Sequence, residues 1–568
     1  MKLLPGSSFV PAFVLATLLL AVRSPALGNV DPVGMRDETD AAVANDEKMA
    51  WWREAKFGLF IHWGVYAVPA RKSEWVMAMD KIPVAEYRAF AKNFNPVHYD
   101  PVSWAKMAKN AGMRYMVITS KHHEGFALWP SEASDWDIGD ATPYKKDLLG
   151  PLAEAARAEG LKFGLYYSQG QDWVNKGGGR YGPTWDPAQD GDFDEYLHNV
   201  ALPQVKEILT RYKPDILWWD TPAYMNPERA QYFIDLLADQ PHILMNNRLG
   251  GRIPGDFKTP EQYVPAGGYS GDWETCMTIG NSWGYVETEK PAKTAPELIR
   301  KLAEIVSKGG NFLLNISPKP DGSLPEDQVS ALEGVGQWMA GNSASIYGTT
   351  RSPFDRLSWG YATQKGKMVY LHVTKWPADG RLLVPLLNKR ARATLLASPD
   401  TELPVSYEDN RLVIDVPPEA PDPANTVIAL QLTEDPKAIP SPLAGAAVSV
   451  SSEDPDRPAS NLMDGGRDSA WAAQKGETMA TLDFVLKEPV VLNGFAFDEP
   501  ETGERPKQKF LVETEVNGAW TKLAEGTTND ARGAQGNFKP QALQSFRITL
   551  ETEKVSPTLA EFRLYRPE

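Results

Sequence analysis

The chain has one cysteine in 568 residues, Cys276, so no intrachain disulfide can form. A fold of this size must then be held by its cores rather than by covalent staples. No Lys/Arg-rich block offsets a net charge of −15, which argues against nucleic acid and anionic membrane as partners and disfavours a strongly anionic polymer as ligand. There is no HExxH, no Cys cluster and no EF-hand-like run to hold a metal. The adjacent pair His122-His123 would face opposite ways on a continuing strand. No GxSxG elbow marks a serine hydrolase, and no Gly-rich phosphate loop follows the first strand. No cofactor is expected.

What is present begins with an export signal. Lys2 gives a positive start, and Phe9 to Val22 is apolar except for Pro11 and Thr17. Ala26-Leu27-Gly28 offers small residues for cleavage, so residues 1–28 read as a signal peptide and the protein as secreted or periplasmic. The apolar run is too short to span a bilayer, and no membrane insertion is expected after its removal.

Residues 45–345 alternate short apolar runs with segments of helical period. The runs are FGLFIHWG (57–64), YMVITSKHH (115–123), KFGLYYSQG (162–170), DILWWD (215–220), HILMNNR (242–248) and NFLLNIS (311–317). Between and after them, helical periodicity covers 84–93, 101–111, 148–159, 194–212, 227–239, 295–308 and 326–341. This alternation over this length predicts a (β/α)8-like barrel; an open doubly wound sheet is the structural rival. Residues 346–434 change to short β-type runs and predict a small antiparallel β-sandwich. Residues 435–445 are a linker by composition, and 446–568 form a third, all-β module.

Polar residues gather where the predicted strands stop: His62 and Trp63, His122 and His123, Tyr166 and Tyr167, Asp220, Arg248. In a barrel those ends share one face, and that face carries the chemistry. The sharpest case is DILWWDTP (215–222), a buried-strand pattern that stops at an acid and is closed by Pro222. A turn aspartate is the plain alternative for Asp220. As a nucleophile in glycoside cleavage it would need a second carboxyl about 5–5.5 Å away. Glu74, Glu124, Glu261 and Glu274 are the candidates, although most glutamates are only solvated surface groups. Of the 18 tryptophans, 14 precede residue 345; Trp75, Trp173, Trp218, Trp219 and Trp283 fall near strand ends or in loops, where they could stack on sugar rings. The Gly/Asp/Pro-rich loop 168–193 is a candidate wall or lid.

FGLFIHWGVYAVPA, SEW, SKHHEGFALW, FGLYYSQGQDW, LWWD, NNR and SWGY, in that order, resemble family 29 of the glycoside hydrolases, the α-L-fucosidases. The resemblance runs from about Trp51 to Gly348. It implies a retaining exo-acting enzyme on a (β/α)8-like barrel, with Asp220 as nucleophile. It also implies His62, Glu74, Trp75, His122, His123, Tyr167, Trp218 and Arg248 as fucose ligands, with no contact assigned to Trp219. TPEQ (259–262), WETCMT (273–278) and SWGY resemble the subgroup that prefers α-1,3/1,4-linked fucose, which puts the acid/base on Glu261 with Glu274 in reserve. The implied partner is a fucosylated oligosaccharide or glycoconjugate. A broader fucosidase that takes α-1,2 links or fucans, and a catalytically silent fucose lectin, are the alternatives. NLMDGGRDSAWAA (461–473) resembles the discoidin or coagulation-factor type C sandwich, which implies a carbohydrate-binding module and is compatible with a structural calcium.

Overall fold

The computed structural model describes residues 46–265, 267–269, 271–289, 291–463, 469–500, 507–528 and 533–567. The expected signal peptide and residues 464–468 of the NLMDGGRDSAWAA motif lie outside the described residues. Among the described residues no helix is long and apolar enough to cross a membrane.

The first module is built on seven parallel strands: β1 Phe57–Ile61, β2 Tyr115–Lys121, β3 Lys162–Ser168, β4 Ile216–Asp220, β5 Leu244–Met245, β6 Glu274–Thr278 and β7 Asn311–Ile316, in the order β5-β4-β3-β2-β1-β7-β6. Helices follow most of them, the longest being Pro101–Asn110, Leu149–Ala158, Leu202–Tyr212, Pro227–Leu237, Ala295–Ser307 and Glu326–Asn342. Parallel strands need such crossovers, which cover the outer face of the sheet. The register brings the C-terminal ends level, with Ile61 opposite Ile118 and Ile316, and Ser168 opposite Asp220.

The sequence alternation predicts eight strands, and the parallel sheet has seven. Between β5 and β6 runs a passage that makes single parallel bridges to both edges, Asn246–Phe257 on one side and Lys258–Trp273 and Glu261–Cys276 on the other. Pro260 has no N–H to give a ladder, so the passage cannot become a regular strand. The 274–278 run, ETCMT, carries no apolar alternation; it is a strand because Glu274 N donates to Lys258 O and its residues pair with β7.

Side-chain direction along the strands separates two cores. Phe60, Tyr115, Val117, Tyr166, Ile216, Trp218, Leu244, Cys276 and Leu313 pack together inside the curved sheet. Their strand neighbours Leu59, Ile61, Met116, Ile118, Tyr167, Leu217, Trp219 and Leu314 pack outward against Leu298, Leu302 and other helix residues. The period of two puts each neighbour on the opposite face.

Beyond the helix Glu326–Asn342 come two antiparallel sheets around one core. One sheet takes β8 Gly360–Lys365, β9 Met368–Val373, β11 Ala391–Leu395, β12 Ser398–Leu403 and β15 Thr426–Leu432; the other takes β10 Arg381–Val384, β13 Val405–Glu408 and β14 Arg411–Asp415. Tyr370, Val427 and Ala429 turn the other way and join the core under the helices of the parallel sheet. The last module is also antiparallel, dominated by the long strands β16 Met479–Asp498 and β17 Ala534–Glu551.

The 168–193 loop is tied down at its start. Lys121 Nζ, fully buried, lies 3.0 Å from Asp172 Oδ2 and donates to Tyr196 Oη at 2.6 Å. Removing one partner of a buried pair leaves the other charge uncompensated. Lys121→Met is expected to cost ~3–5 kcal/mol, measured by denaturant unfolding followed through the tryptophan fluorescence that this module dominates.

Candidate active site

A cavity opens at the C-terminal ends of the strands, enclosing about 420 Å³ of non-protein space with its open mouth included. Phe60 comes from β1 and His62 directly follows it, His122 and His123 directly follow β2, Tyr166 comes from β3, and Trp218 and Asp220 from β4. Glu74 and Trp75 come from the turn after β1, Arg248 follows β5, Glu261 sits on the passage, and Cys276 and Trp283 come from and after β6.

Asp220 ends its strand as the sequence predicts. Thr221 comes next at φ 43°, a left-handed conformation that a β-branched residue adopts at a cost, and Pro222 prevents continuation. Asp220 N donates to Gln169 Oε1 at 3.1 Å, which ties the turn to the first residues of the long loop. Gln169 Nε2 in turn donates to Arg248 O at 2.8 Å and Leu249 O at 3.1 Å, so the start of the loop braces the backbone that carries Asp220 and Arg248, although no residue of 168–193 lines the cavity itself.

The carboxylate is held by donors. Arg248 Nη1 donates to Oδ1 at 2.9 Å and Tyr166 Oη to Oδ2 at 2.8 Å. Burial alone would raise this carboxyl; the Arg248 charge and the hydrogen bonds from Arg248 and Tyr166 outweigh it and hold the group below the usual aspartate range. The same Nη1 donates to Glu261 Oε2 at 2.9 Å. Two contacts of 2.9 Å to one atom cap the separation of the two carboxylate oxygens at twice that length, 5.8 Å. Retaining glycosidases place their carboxyls about 5–5.5 Å apart and inverting ones about 6.5–9.5 Å; facing oxygens no more than 5.8 Å apart are compatible with the retaining spacing.

Arg248 is itself clamped. Nε donates to Thr259 Oγ1 at 2.8 Å and Nη2 to Thr259 O at 2.9 Å, while the guanidinium lies 4.8 Å from the Trp218 ring centroid. Burial opposes its charge, but Glu261 and Asp220 push its affinity for the proton above even the usual arginine value. The three histidines are neutral at working pH. Burial drives His62 down to about 3, His123 to about 4, and His122 well below the usual value. The 3.6 Å approach of His123 Nε2 to Asp220 is therefore a neutral contact, not an ion pair. Glu74 accepts from Gly284 N at 3.1 Å, and burial raises it to about 7. Below that pH it is a neutral acid with an O–H to donate.

Four sequence expectations change. Tyr167 does not reach the cavity: it points outward, where its Oη donates to Gln204 Oε1 at 2.9 Å and Lys121 covers its ring. Tyr166, one residue earlier on the inner face, takes the place next to Asp220. Trp219 lies outward for the same reason and packs on Phe233. Glu274, the reserve acid/base, does not line the cavity. It accepts from Trp218 Nε1 at 3.1 Å and from Tyr115 Oη inside the sheet, beneath the Trp218 ring. Finally, His122 and His123 both face the cavity, their rings 4.0 Å apart. The strand has ended at Lys121, and a register shift between Thr119 and Lys121 re-aims the two histidines beyond it. Glu124 is buried behind His122, away from the cavity, with its Oε2 3.7 Å from the ring.

Sequence reasoning left Tyr166, Thr221 and Cys276 without a role. The pairing of Tyr166 with Trp218 across two apolar strands was the available signal for Tyr166; Cys276 needed a strand that composition does not announce.

A family model described as Alpha-L-fucosidase matches residues 34–344, and one described as F5/8 type C domain matches 447–562. Tissue alpha-L-fucosidase of Bos taurus is 33% identical over 384 residues, which covers 61% of this chain and 80% of that protein. Among solved structures, alpha-L-fucosidase isoenzyme 1 from Paenibacillus thiaminolyticus is 38% identical with a TM-score of 0.64, over 69% of this chain and 100% of that one. The alpha-L-fucosidase from Vibrio sp. strain EJY3 is 25% identical with a TM-score of 0.70, over 90% and 98%. An alpha-L-fucosidase from Bacteroides thetaiotaomicron, 31% identical with a TM-score of 0.61 over 68% and 96%, was trapped as a covalent intermediate with 2-fluoro-fucosyl fluoride in a Glu-to-Gln variant.

Tyr166→Phe removes one donor from ionised Asp220 and so raises that carboxyl. Since the low value of Asp220 keeps it ionised as pH falls, the acidic limb of kcat/KM should move up, by about one pH unit for a charge-assisted hydrogen bond. An unmoved acidic limb in the variant would contradict the assignment.

Proposed function

Because this chain belongs to the alpha-L-fucosidase family, and is an α-L-fucosidase and so a glycoside hydrolase, we propose that it releases L-fucose by double displacement, with Asp220 as nucleophile and Glu261 as acid/base. The observation that carries this reading is the 5.8 Å cap on the two carboxylate oxygens. Asp220 attacks the anomeric carbon as Glu261 gives its proton to the departing oxygen. Water then enters on the same face, gives a proton back to Glu261, and displaces the aspartyl ester. The ionised state of Asp220 suits attack, and the 42% exposure of the Glu261 side chain suits contact with both leaving group and water. A covalent intermediate in the related Bacteroides enzyme supports the two-step course.

The fucose ring would sit among His62, Glu74, Trp75, His122, His123, Tyr166, Trp218 and Arg248, the neutral groups taking its hydroxyls and the indole faces its C–H side. The preference for α-1,3/1,4 links rests on the TPEQ, WETCMT and SWGY segments. Competition between fucosylated trisaccharides tests it, and faster release of 2-linked fucose would overturn it. The C-terminal F5/8 type C module is assigned to carbohydrate binding, and export through the N-terminal signal would place the enzyme outside the cytoplasm.

Azide separates the two carboxyl roles. Asp220→Ala and Glu261→Ala should each lose turnover of natural glycans by at least about 10³-fold. In Asp220→Ala, azide replaces the carboxylate and yields the β-fucosyl azide. In Glu261→Ala it intercepts the glycosyl-enzyme and yields the α-fucosyl azide. Glu274→Gln should keep activity within about tenfold, because its oxygens serve Trp218 and Tyr115 and not the reaction. Activity of wild-type size in Asp220→Ala, or loss in Glu274→Gln equal to that in Glu261→Ala, would contradict the scheme.

A further inference from the structure

Two imidazoles at this site hand one nitrogen to the protein and keep the other for the cavity. Asn315 lies on β7 behind His62. Its Nδ2 donates to Trp283 O at 2.8 Å, which fixes the amide and leaves Oδ1 facing His62 Nδ1 at 2.7 Å. An amide oxygen only accepts, so Nδ1 carries the hydrogen. Burial keeps the ring neutral, with a value near 3, so Nε2 holds a bare lone pair.

His123 reaches the same state by another route. Its Nδ1 lies 2.7 Å from Ser168 Oγ, and that hydroxyl donates its one hydrogen to Gln171 O at 3.0 Å. If the hydroxyl turned to the ring instead, a carbonyl in a buried residue would lose its donor. Ser168, the nearer neighbour at 2.7 Å, therefore accepts from Nδ1–H, and the Thr221 hydroxyl stands farther from the same nitrogen at 3.3 Å. The Nε2 lone pair of the neutral ring then faces Asp220 Oδ2 across 3.6 Å. Two acceptors facing each other call for a donor placed within reach of both. His122 has no such device, since its Nδ1 finds only Glu124 at 3.7 Å, beyond hydrogen-bond range.

We propose that Asn315 and Ser168 are positioning residues that lock His62 and His123 as Nδ1–H tautomers, so that both present Nε2 acceptors and the pocket selects its sugar by the hydrogens of two hydroxyls. The inference rests on the fucose-cleaving reading and deepens it. A group that accepts but cannot donate is rejected at these two positions as strongly as no group at all.

Binding of free L-fucose is compared with binding of its deoxy and deoxyfluoro analogues at each ring hydroxyl, by competition. Fluorine accepts weakly and never donates. At two positions the fluoro and the deoxy sugars should bind equally, each about tenfold or more below L-fucose. Ser168→Ala should shrink that gap at one position and Asn315→Leu at the other, while Asn315→Asp, which keeps the acceptor, should preserve it. Spectra of ¹⁵N-histidine protein read the tautomers without any ligand. With seven histidines in the chain, two should be neutral Nδ1–H rings that lose this form in Ser168→Ala and Asn315→Leu respectively. Fluoro sugars that bind like L-fucose at every position, or Nε2–H rings at His62 and His123, overturn the proposal. Should L-fucose itself fail to compete, the functional reading falls while the spectra still decide the tautomers. Should Asn315→Leu not fold, Ser168→Ala and Asn315→Asp decide them.

Discussion

One guanidinium nitrogen holds this site together. Arg248 Nη1 touches both Asp220 and Glu261 at 2.9 Å. Two carboxylates at that spacing repel, and the cation between them offsets the repulsion. The cation is expensive to bury, and its burial is offset only because its remaining donors are used by Thr259 and its face lies on Trp218. The irregular passage between β5 and β6 supplies both Thr259 and Glu261, so the same backbone that replaces a regular strand also sets the distance between the reacting groups.

The second constraint is the two-residue period of the strands around that cation. Trp218 and Trp219 are chemically the same, yet one stacks at the cavity with Tyr166 and the other fills the helix layer against Phe233. The inner face gathers aromatic rings and neutral donors. The outer face gathers the apolar mass that keeps the sheet rigid. Glu274 shows what a polar group on the wrong level requires: it is buried inside the sheet, raised to about 7, and satisfied by Tyr115 and Trp218.

The apolar runs and the strand-end acids make β1 to β4 and β7 legible from residues alone, because buried parallel strands are continuous apolar stretches that stop abruptly. DILWWDTP reads as a strand, a carboxylate and a stop in one line. The face of each residue cannot be read from such a stretch, since both faces are apolar; the strand end offers Tyr166 and Tyr167 alike, the resemblance implies Tyr167, and the structure turns Tyr166 to the cavity. β6 is illegible because ETCMT has neither alternation nor apolar continuity and is held by its neighbours. The histidine pair misleads for a related reason. The rule of opposite faces holds within a strand, and the bulge that ends β2 is a backbone event with no residue signature.

Stereochemistry tests the shared-cation account most directly, because the spacing of Asp220 and Glu261 decides it. Hydrolysis of an aryl α-L-fucoside followed by proton NMR from the first turnovers should show α-L-fucose before mutarotation brings in the β anomer. Initial release of β-L-fucose would mean that a water fits between the carboxyls, and would contradict a site closed around one guanidinium.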